Sequence, residues 1–302
     1  MSTTIVAVGG CSIDLSGNVK WAKNADLPIR PASTLKFLTG YIACGMGLDL
    51  DAVMCEAIEA DRVGGTSASL RAGDVMTLRD MLYGLMLVSG NDAAHCIGRT
   101  IGQIVLDQEE ATGDPLTRFL NLMSETVAGW GWPATEFGSP SGFPDDITYI
   151  TPKQLCDIVR HSVNDNNEIV DIAGTRTHTS AVVAGAPRSI TYNNTFELEG
   201  VVSFPEYISG KPGWLNGHGT LVQYWQDPDG GKHITCVMDE PTHDQRFIDM
   251  RRVMNAVLYK TSDGANLTIS GRTPLGALVG GKQVTSIVLG TTTGQKTVWA
   301  RL

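Results

Sequence analysis

The amino-acid sequence is without several features that define common protein classes. No apolar run reaches the length of about 18 residues that a membrane-spanning helix needs. The histidines show no ligand spacing such as His-x-x-x-His, and the cysteines form no Cys-x-x-Cys pair, so we expect neither a metal site nor a cofactor. The net charge of -9 argues against nucleic-acid binding, which needs a basic face.

A signal-peptide pattern is also missing. No basic start, long apolar region and small-residue cleavage site precedes the apolar residues 5–8. We expect either that a signal was removed or that the protein does not use that export route. The 6 cysteines could pair, but a chain of 302 residues can bury a core that needs no disulfides, so free thiols are favoured.

The order of predicted elements indicates an α/β (α+β) fold. A hairpin is predicted within residues 3–24, from strand-like residues on both sides of a Ser-Gly-Asn turn. Helices are predicted at 33–44, 78–88, 93–101, 114–129, 152–161 and 247–259, and strands at 189–196, 209–214, 219–226 and 233–238. Strands therefore come from both ends of this order, with helices between them. We expect one antiparallel sheet with a helical block beside it.

The last part of the chain differs in composition from the rest. Residues 262–302 are rich in Gly and Thr, with alternating Val and Ile around 284–298. This pattern predicts a small β-rich appendage, 262–302, attached to a main domain of residues 1–261. The appendage is too short to hold much core of its own. We therefore expect it to pack on the main domain or on another protein chain.

Ser33 and Lys36 form a Ser-x-x-Lys motif at a predicted helix start. Residues three apart on a helix are side-chain neighbours, so the hydroxyl and the amine are within reach of each other. A helix N-terminus adds unpaired backbone N–H groups and the positive end of the helix dipole. A nucleophile, a base and anion-stabilising donors are then in one place, as acyl transfer needs. One such match is expected about once by chance in a chain of this length, so the motif needs support.

Two further motifs supply that support. Ser89-Gly90-Asn91 lies at the break between two predicted helices, and Lys211-Pro212-Gly213 lies on a predicted strand. The order Ser-x-x-Lys, Ser-x-Asn, Lys-x-Gly is that of the penicillin-recognising serine enzymes. Ser16-Gly17-Asn18 also fits the second motif, but it lies in a hairpin turn before the nucleophile, and we interpret it as structural.

The residues around these motifs resemble the serine-type D-alanyl-D-alanine carboxypeptidases, which are low-molecular-mass penicillin-binding proteins with a β-lactamase/transpeptidase-like fold. Residues 31–36 and 82–94 carry the resemblance, which covers about residues 5–260. It implies attack of Ser33 on the carbonyl between two D-alanines of a peptidoglycan stem peptide, and release of the terminal D-alanine from an acyl-enzyme. It also implies covalent inhibition by β-lactams and action at the bacterial cell wall.

The resemblance further implies a role for each motif residue. Lys36 would take the proton of the Ser33 hydroxyl, with Lys211 as the nearby cation that lowers the Lys36 pKa. Ser89 would relay a proton to the leaving amine. Asn91 would hold the substrate's amide and help to position Lys36.

The third motif departs from the family pattern at Pro212, where the family usually has Thr or Ser. The missing hydroxyl helps to bind the substrate's terminal carboxylate in the family, so recognition would rest on Lys211 or another residue. Proline is tolerated in a sheet only at an edge or a strand start, which suits a strand beside a cleft. Beyond Gly213, the backbone N–H of Trp214 would form the oxyanion hole with that of Ser33. We expect a working enzyme with altered carboxylate recognition.

A β-lactamase is the first alternative. An enzyme of the Ser-x-x-Lys type needs a base that hydrolyses the acyl-enzyme quickly, and the familiar solution is Glu-x-x-Leu-Asn in a loop after the second motif. The nearest string here is residues 117–121, which has Thr117 in place of the glutamate. That difference argues against a β-lactamase.

A binding or structural protein that keeps the fold without turnover is the second alternative. Pro212, the missing signal pattern and residues 262–302 motivate it. One version is a cell-wall protein of a bacteriophage tail, which assembles in the host cytoplasm and needs no signal peptide. Residues 262–302 would then serve protein assembly, and the chain would be associated with the virion.

Overall fold

The computed structural model describes residues 5–143, 146–198 and 207–258, together with four short strands between residues 278 and 298. Its helices are α1 (Lys36–Gly45), α2 (Leu78–Met86), α3 (Asn91–Gln108), α4 (Pro115–Gly129), α5 (Pro152–Asp165), α6 (Glu168–Gly174), α7 (Thr195–Leu198) and α8 (His243–Leu258). The first nine strands are β1 (Gly9–Asp14), β2 (Val19–Lys23), β3 (Met54–Glu56), β4 (Val75–Thr77), β5 (Thr177–Val182), β6 (Arg188–Asn193), β7 (Tyr207–Leu215), β8 (His218–Gln226) and β9 (Lys232–Glu240). Within the described ranges, no helix has the length and apolarity of a membrane span.

A five-stranded antiparallel sheet in the order β2-β1-β9-β8-β7 forms the centre of the fold. The N-terminal hairpin pairs with the late strands through β1 and β9, where Cys11 lies opposite Cys236. The predicted sheet from both ends of the domain, with a helical block beside it, is therefore confirmed. Strand β7, which carries the Lys-x-Gly motif, is an edge strand.

Each face of the sheet packs on its own set of helices. Successive residues of a strand point to opposite faces, so Leu221 and Val237 pack under α8, whereas Val222 and Cys236 pack against the larger helical core. Trp225 also lies on the α8 face and is fully buried. Burying each such large apolar side chain stabilises the fold by about 1.5–3 kcal/mol. Helices α1 and α3, which carry Lys36 and Asn91, lie within the helical core.

Local capping chemistry determines several helix starts where the sequence predicts them. The Thr77 hydroxyl accepts a hydrogen bond from the backbone N–H of Asp80 at the start of α2. Thr151 and Gln154 form a capping box at the start of α5, with Pro152 in the first turn. These side chains satisfy backbone N–H groups that have no partner within the helix.

Three predicted helix starts are shifted in the structure, and the last helix begins at His243 instead of residue 247. Ser33 lies in a 3-10 turn, Ala32–Leu35, and the α-helix begins only at Lys36. The third helix begins at Asn91, so Asp92 lies in its first turn and is not its cap. Helix α3 also runs to Gln108, beyond the predicted end at residue 101, because its apolar face packs on α4.

The region after α5 differs most from the prediction. Helix α6 was not predicted, and the strand predicted at 189–196 ends at Asn193. Strands β5 and β6 form a separate two-stranded hairpin outside the main sheet. Because a short strand pattern looks the same in either sheet, its partner depends on tertiary packing.

The predicted appendage at residues 262–302 lies mostly outside the described residues. Within it the structure describes β10 (Leu278–Val279), β11 (Lys282–Gln283), β12 (Ile287–Thr291) and β13 (Gly294–Val298). They pair as two antiparallel hairpins, β10 with β11 and β12 with β13. The domain boundary at 261/262 stays a prediction.

Candidate active site

Ser33 and Lys36 lie at the junction between the 3-10 turn and α1. The Lys36 Nζ atom is 2.9 Å from Ser33 Oγ. Ser33 is partly exposed, whereas Lys36 has 0% exposure. Ala32 has a φ of 50°, a left-handed conformation that turns the chain sharply before the serine. The hydroxyl therefore faces solvent, and the amine approaches it from the protein interior.

The Lys36 amine is held by two carbonyl oxygens besides Ser33. Its Nζ atom lies 2.7 Å from Asn91 Oδ1 and 3.1 Å from the backbone oxygen of Ser141. Burial lowers the pKa of Lys36 well below its usual value, and the charge of Lys211 lowers it further. Asp92 acts in the opposite direction. The net shift is toward the uncharged amine, which is the form that can accept a proton.

The third motif reaches the nucleophile because β7 lacks a side chain at Gly213. A Cβ atom there would lie 2.9 Å from the Ser33 backbone nitrogen and 3.0 Å from Ala32 Cβ. Lys211 is fully buried, and its Nζ donates to the Pro212 carbonyl at 3.2 Å. Pro212 is tolerated here because β7 is an edge strand, as its sequence predicts.

In the second motif, Asn91 is hydrogen-bonded to Lys36, whereas Ser89 is not. Asn91 Nδ2 donates to the Gly64 carbonyl at 2.9 Å, which leaves its oxygen toward Lys36. Ser89 is buried, with a φ of 61°. In the part of the chain that the structure describes, the Ser89 hydroxyl makes no hydrogen bond to Ser33 or Lys36.

The loop at residues 139–143, which carries no recognisable motif, lies against Lys36 and the turn before Ser33. The Ser139 and Ser141 hydroxyls lie 2.8 Å apart, and both donate to the Phe143 carbonyl. Gly142 has a φ of 73°, and a Cβ there would lie 2.2 Å from the Ala32 carbonyl oxygen. The sequence shows only a Gly- and Pro-rich loop, so the contact of Ser141 with Lys36 could not be predicted.

Arg246, which the sequence did not predict, lies beside the predicted site residue Trp214 in the last part of the site. Trp214 stacks on His243, with ring centroids 3.9 Å apart. The buried Arg246 donates to the Gly213 carbonyl at 2.7 Å and lies 3.1 Å from His243 Nδ1. Arg246 therefore ties α8 to the strand that carries the third motif. No sequence motif marks it, because the contact spans 33 residues.

Across the described ranges, no group of three or more His, Cys, Asp or Glu side chains is arranged to hold a metal ion. The arrangement that does exist is a serine hydroxyl beside a buried amine, with backbone N–H groups near by. That set of groups can perform nucleophilic acyl transfer.

Comparison with known proteins agrees with this chemistry. The family model for D-alanyl-D-alanine carboxypeptidase matches residues 12–203. A D-alanyl-D-alanine carboxypeptidase of Streptomyces sp. (strain K15) is 29% identical over 265 residues, which span 83% of this chain and 87% of that protein. The carboxypeptidase DacA of Haemophilus influenzae is 23% identical over 249 residues, which span 79% of this chain and 58% of that protein.

A solved structure gives the same answer for the fold. The crystal structure of the Streptomyces K15 DD-transpeptidase aligns with a TM-score of 0.73 and 28% identity, covering 83% of this chain and 97% of that one. The family match includes Ser33, Lys36, Ser89 and Asn91, and the structural match extends over most of the described chain. The chain belongs to the D-alanyl-D-alanine carboxypeptidase family of serine-type penicillin-binding enzymes.

Proposed function

We propose that this chain removes the terminal D-alanine from peptidoglycan stem peptides through an acyl-enzyme on Ser33, and that β-lactams acylate the same hydroxyl. The observation that carries the proposal is the 2.9 Å separation between Ser33 Oγ and the Nζ atom of a fully buried lysine. A surface lysine would be protonated at neutral pH and could not act as a base.

The hydrogen bonds of Lys36 support its role as that base. An uncharged amine has two hydrogens and one lone pair. Asn91 Oδ1 and the Ser141 carbonyl are both acceptors only, so they take the two hydrogens. The lone pair then faces Ser33, whose hydroxyl donates to it. As Ser33 Oγ attacks the substrate carbonyl carbon, its proton moves to Lys36 Nζ.

The backbone around Ser33 supports the proposed oxyanion hole. The donors would be the N–H groups of Ser33 and Trp214. Gly213 brings β7 close to the Ser33 backbone nitrogen, and Trp214 is the next residue of that strand, which supports this assignment. Losing one donor of this kind typically slows acyl transfer by about 100- to 1000-fold. Ser89, whose hydroxyl has no partner among the described residues, would pass a proton to the leaving amine.

Recognition of the substrate's terminal carboxylate would depend on the charge of Lys211, because Pro212 replaces the usual hydroxyl-bearing residue. Pro212 offers neither a hydroxyl nor an N–H group. The buried ammonium of Lys211 lies on the same edge strand, one residue before it. An ammonium in a low-dielectric site attracts a carboxylate more strongly than it would in water. We therefore propose that Lys211 supplies most of the carboxylate binding.

The alternatives have less support. Thr117 lies in the first turn of α4, where its hydroxyl bonds to Asp114, so the string at 117–121 offers no base for a β-lactamase. Relatives of this family act on cell-wall peptidoglycan. How the chain reaches the wall, by export or as part of a bacteriophage tail, stays a prediction, as does assembly through residues 262–302.

Intact-protein mass spectrometry after incubation with benzylpenicillin tests the proposal. We expect one covalent adduct on the wild-type chain and none on Ser33→Ala. Release of D-alanine from a Lys-D-Ala-D-Ala peptide should follow the same pattern. A wild-type chain that forms no adduct and releases no D-alanine would show that the site is inactive, and a binding or structural role would then replace the proposal.

A further inference from the structure

Asp92 is a buried carboxylate that the proposed mechanism does not use. It has 3% exposure and lies in the first turn of α3, directly after Asn91. Its two oxygens accept hydrogen bonds from the Ser67 hydroxyl (2.5 Å) and from the backbone N–H groups of Ala68 (2.7 Å), Leu70 (3.2 Å) and Ala93 (2.9 Å). Three of these four bonds go to one segment, residues 64–70, which we call the clamp segment.

The clamp segment determines how Asn91 is held. Its Gly64 carbonyl accepts from Asn91 Nδ2 at 2.9 Å, and its Thr66 carbonyl accepts from the Asn91 backbone N–H at 2.8 Å. Gly65 packs so closely that a Cβ there would lie 2.6 Å from Asn91 Nδ2. Gly64 and Gly65 both have positive φ, and glycine backbone is otherwise free to change conformation. Asp92 therefore anchors this segment at the point where its exposed residues 64–67 meet the buried Ala68 and Leu70.

The orientation of the Asn91 amide depends on that anchor. With its NH2 group bound to the Gly64 carbonyl, Asn91 presents its oxygen to Lys36. A flipped amide would present N–H groups to the amine and would lose the acceptor that orients it. We propose that Asp92 is a positioning residue for acylation: through the clamp segment it fixes the Asn91 amide, and through Asn91 it fixes Lys36.

The charge of Asp92 should also affect the pH dependence of acylation, which gives a second way to test this role. The titratable groups that face Lys36 are Lys211 on β7 and Asp92 and His95 on α3. Lys211 lowers the pKa of Lys36, whereas Asp92 raises it. Removing the Asp92 charge therefore lowers the Lys36 pKa further. Because the neutral amine is the base, the rising acid side of the pH–rate profile should move to lower pH.

Asp80 offers a matched control. It lies in the first turn of α2, and it also anchors a distant segment, by accepting from the Ala181 backbone N–H at 2.9 Å and from His178 Nε2 at 2.8 Å. That segment belongs to β5, and among the described residues none of the hydrogen bonds of Lys36 goes to it. Asp80→Asn therefore also removes a carboxylate that anchors a distant segment, but this segment does not hold Asn91 or Lys36.

The inference rests on the proposed roles of Ser33 and Lys36, and the test separates the two. The rate of acylation by benzylpenicillin is measured against pH for the wild type, Asp92→Asn, Ser67→Ala and Asp80→Asn, with the melting temperature of each. We expect Asp92→Asn to lower the plateau rate by about 10- to 100-fold, since small misplacement of reacting groups has effects of this size. Its acid side should move to lower pH.

Ser67→Ala keeps the charge and removes one bond to the clamp segment. Ser67→Ala should lower the plateau rate by a smaller factor and leave the acid side of the pH–rate profile in place. Asp80→Asn should change the plateau rate by no more than about 2-fold and also leave the acid side in place. Equal profiles for Asp92→Asn and Asp80→Asn would overturn the inference. If Asp92→Asn does not fold, an unchanged plateau in Ser67→Ala would overturn it. A wild-type chain without an adduct would overturn the proposed function and this inference together.

Discussion

The chemistry at the scale of single residues depends on taking Lys36 out of water. A lysine amine becomes a useful base only when its pKa falls toward neutrality. Burial supplies the largest part of that change, and Lys211 supplies the next. The two carbonyl oxygens around Nζ do not bring a negative charge, so they orient the amine without forming an ion pair. The charge of Lys211 thus helps to make Lys36 a base by lowering its pKa.

Lys211→Gln tests this relation between the two lysines. Without the cation, the pKa of Lys36 rises toward its usual value, so the acid side of the pH–rate profile for acylation should move to higher pH. This is opposite to the shift expected for Asp92→Asn. The KM for a Lys-D-Ala-D-Ala peptide should also rise by about 10-fold or more, because a buried partner for the carboxylate is lost.

The exposed Lys232 on β9 is a suitable control for that experiment. Lys232→Gln removes the same charge far from Lys36 and should leave the profile in place. An acid side that stays unmoved in Lys211→Gln would mean that burial alone determines the Lys36 pKa.

At the scale of elements, the site is a contact between an edge strand and a turn. Strand β7 approaches the Ala32–Leu35 turn closely because Gly213 has no side chain. Arg246 on α8 holds the Gly213 carbonyl from the other side. The positions of β7 and the turn therefore depend on each other. A change at either element should affect acylation before it unfolds the protein.

Gly213→Ala should push β7 away from the Ala32–Leu35 turn. The added Cβ would lie 2.9 Å from the Ser33 nitrogen, so the backbone must move. We expect a loss of stability of about 1–3 kcal/mol, as for other overpacked sites, and at least about a 10-fold slower acylation by benzylpenicillin. Chemical denaturation and mass spectrometry measure the two effects.

Gly98→Ala is the matched control, since its Cβ would lie 3.0 Å from the Phe119 ring between α3 and α4. The Phe119 ring must shift to admit the methyl group, so this variant should change stability with little effect on acylation. Equal slowing in both variants would show that the rate follows global stability and not the contact at Gly213.

At the scale of the whole molecule, the buried carboxylate of Asp249 joins the two ends of the main domain. Asp249 on α8 accepts from the Ala7 backbone N–H at 2.9 Å and from Arg252 at 2.7 Å. Glu240, at the end of β9, is fully buried near it. Burial, followed by the charge of Asp249, raises the pKa of Glu240 to about 8. The folded state therefore holds a proton on Glu240 at neutral pH.

This raised pKa makes stability depend on pH. The pKa of Glu240 is 4.5 in the unfolded chain. Between pH 4.5 and about 8, the folded state therefore binds more protons at Glu240 than the unfolded state does. The contribution of Glu240 to stability is therefore complete below pH 4.5 and is lost as pH rises through about 8. Glu240→Gln, which cannot ionise, should gain about 1–3 kcal/mol over the wild type at pH 8 relative to pH 5. Urea unfolding at both pH values measures the difference.

Glu136→Gln, at an exposed position, gives the comparison for loss of one surface charge. Its stability relative to the wild type should change little between the two pH values. If Glu240→Gln behaves in the same way, Glu240 is ionised in the folded protein and its pKa is not raised.

Much of this architecture could be predicted because its causes are local. Helix caps such as Thr77 and Thr151 act within three residues, and strand alternation needs only neighbours. The spacing of Ser33 and Lys36 likewise follows from one helical turn, even though the serine lies in a 3-10 turn. The fold class and the motif order were predictable for the same reason.

What the linear order could not show are the contacts made by distant parts of the chain. The partners of Lys36 lie 55 and 105 residues away, and they determine which way its amine faces. The anchoring of the clamp segment by Asp92 spans 22 to 25 residues. Motifs name the reacting groups because chemistry limits the choice of side chains. Burial and orientation, which make the amine a base, arise only when the sheet and helices pack together.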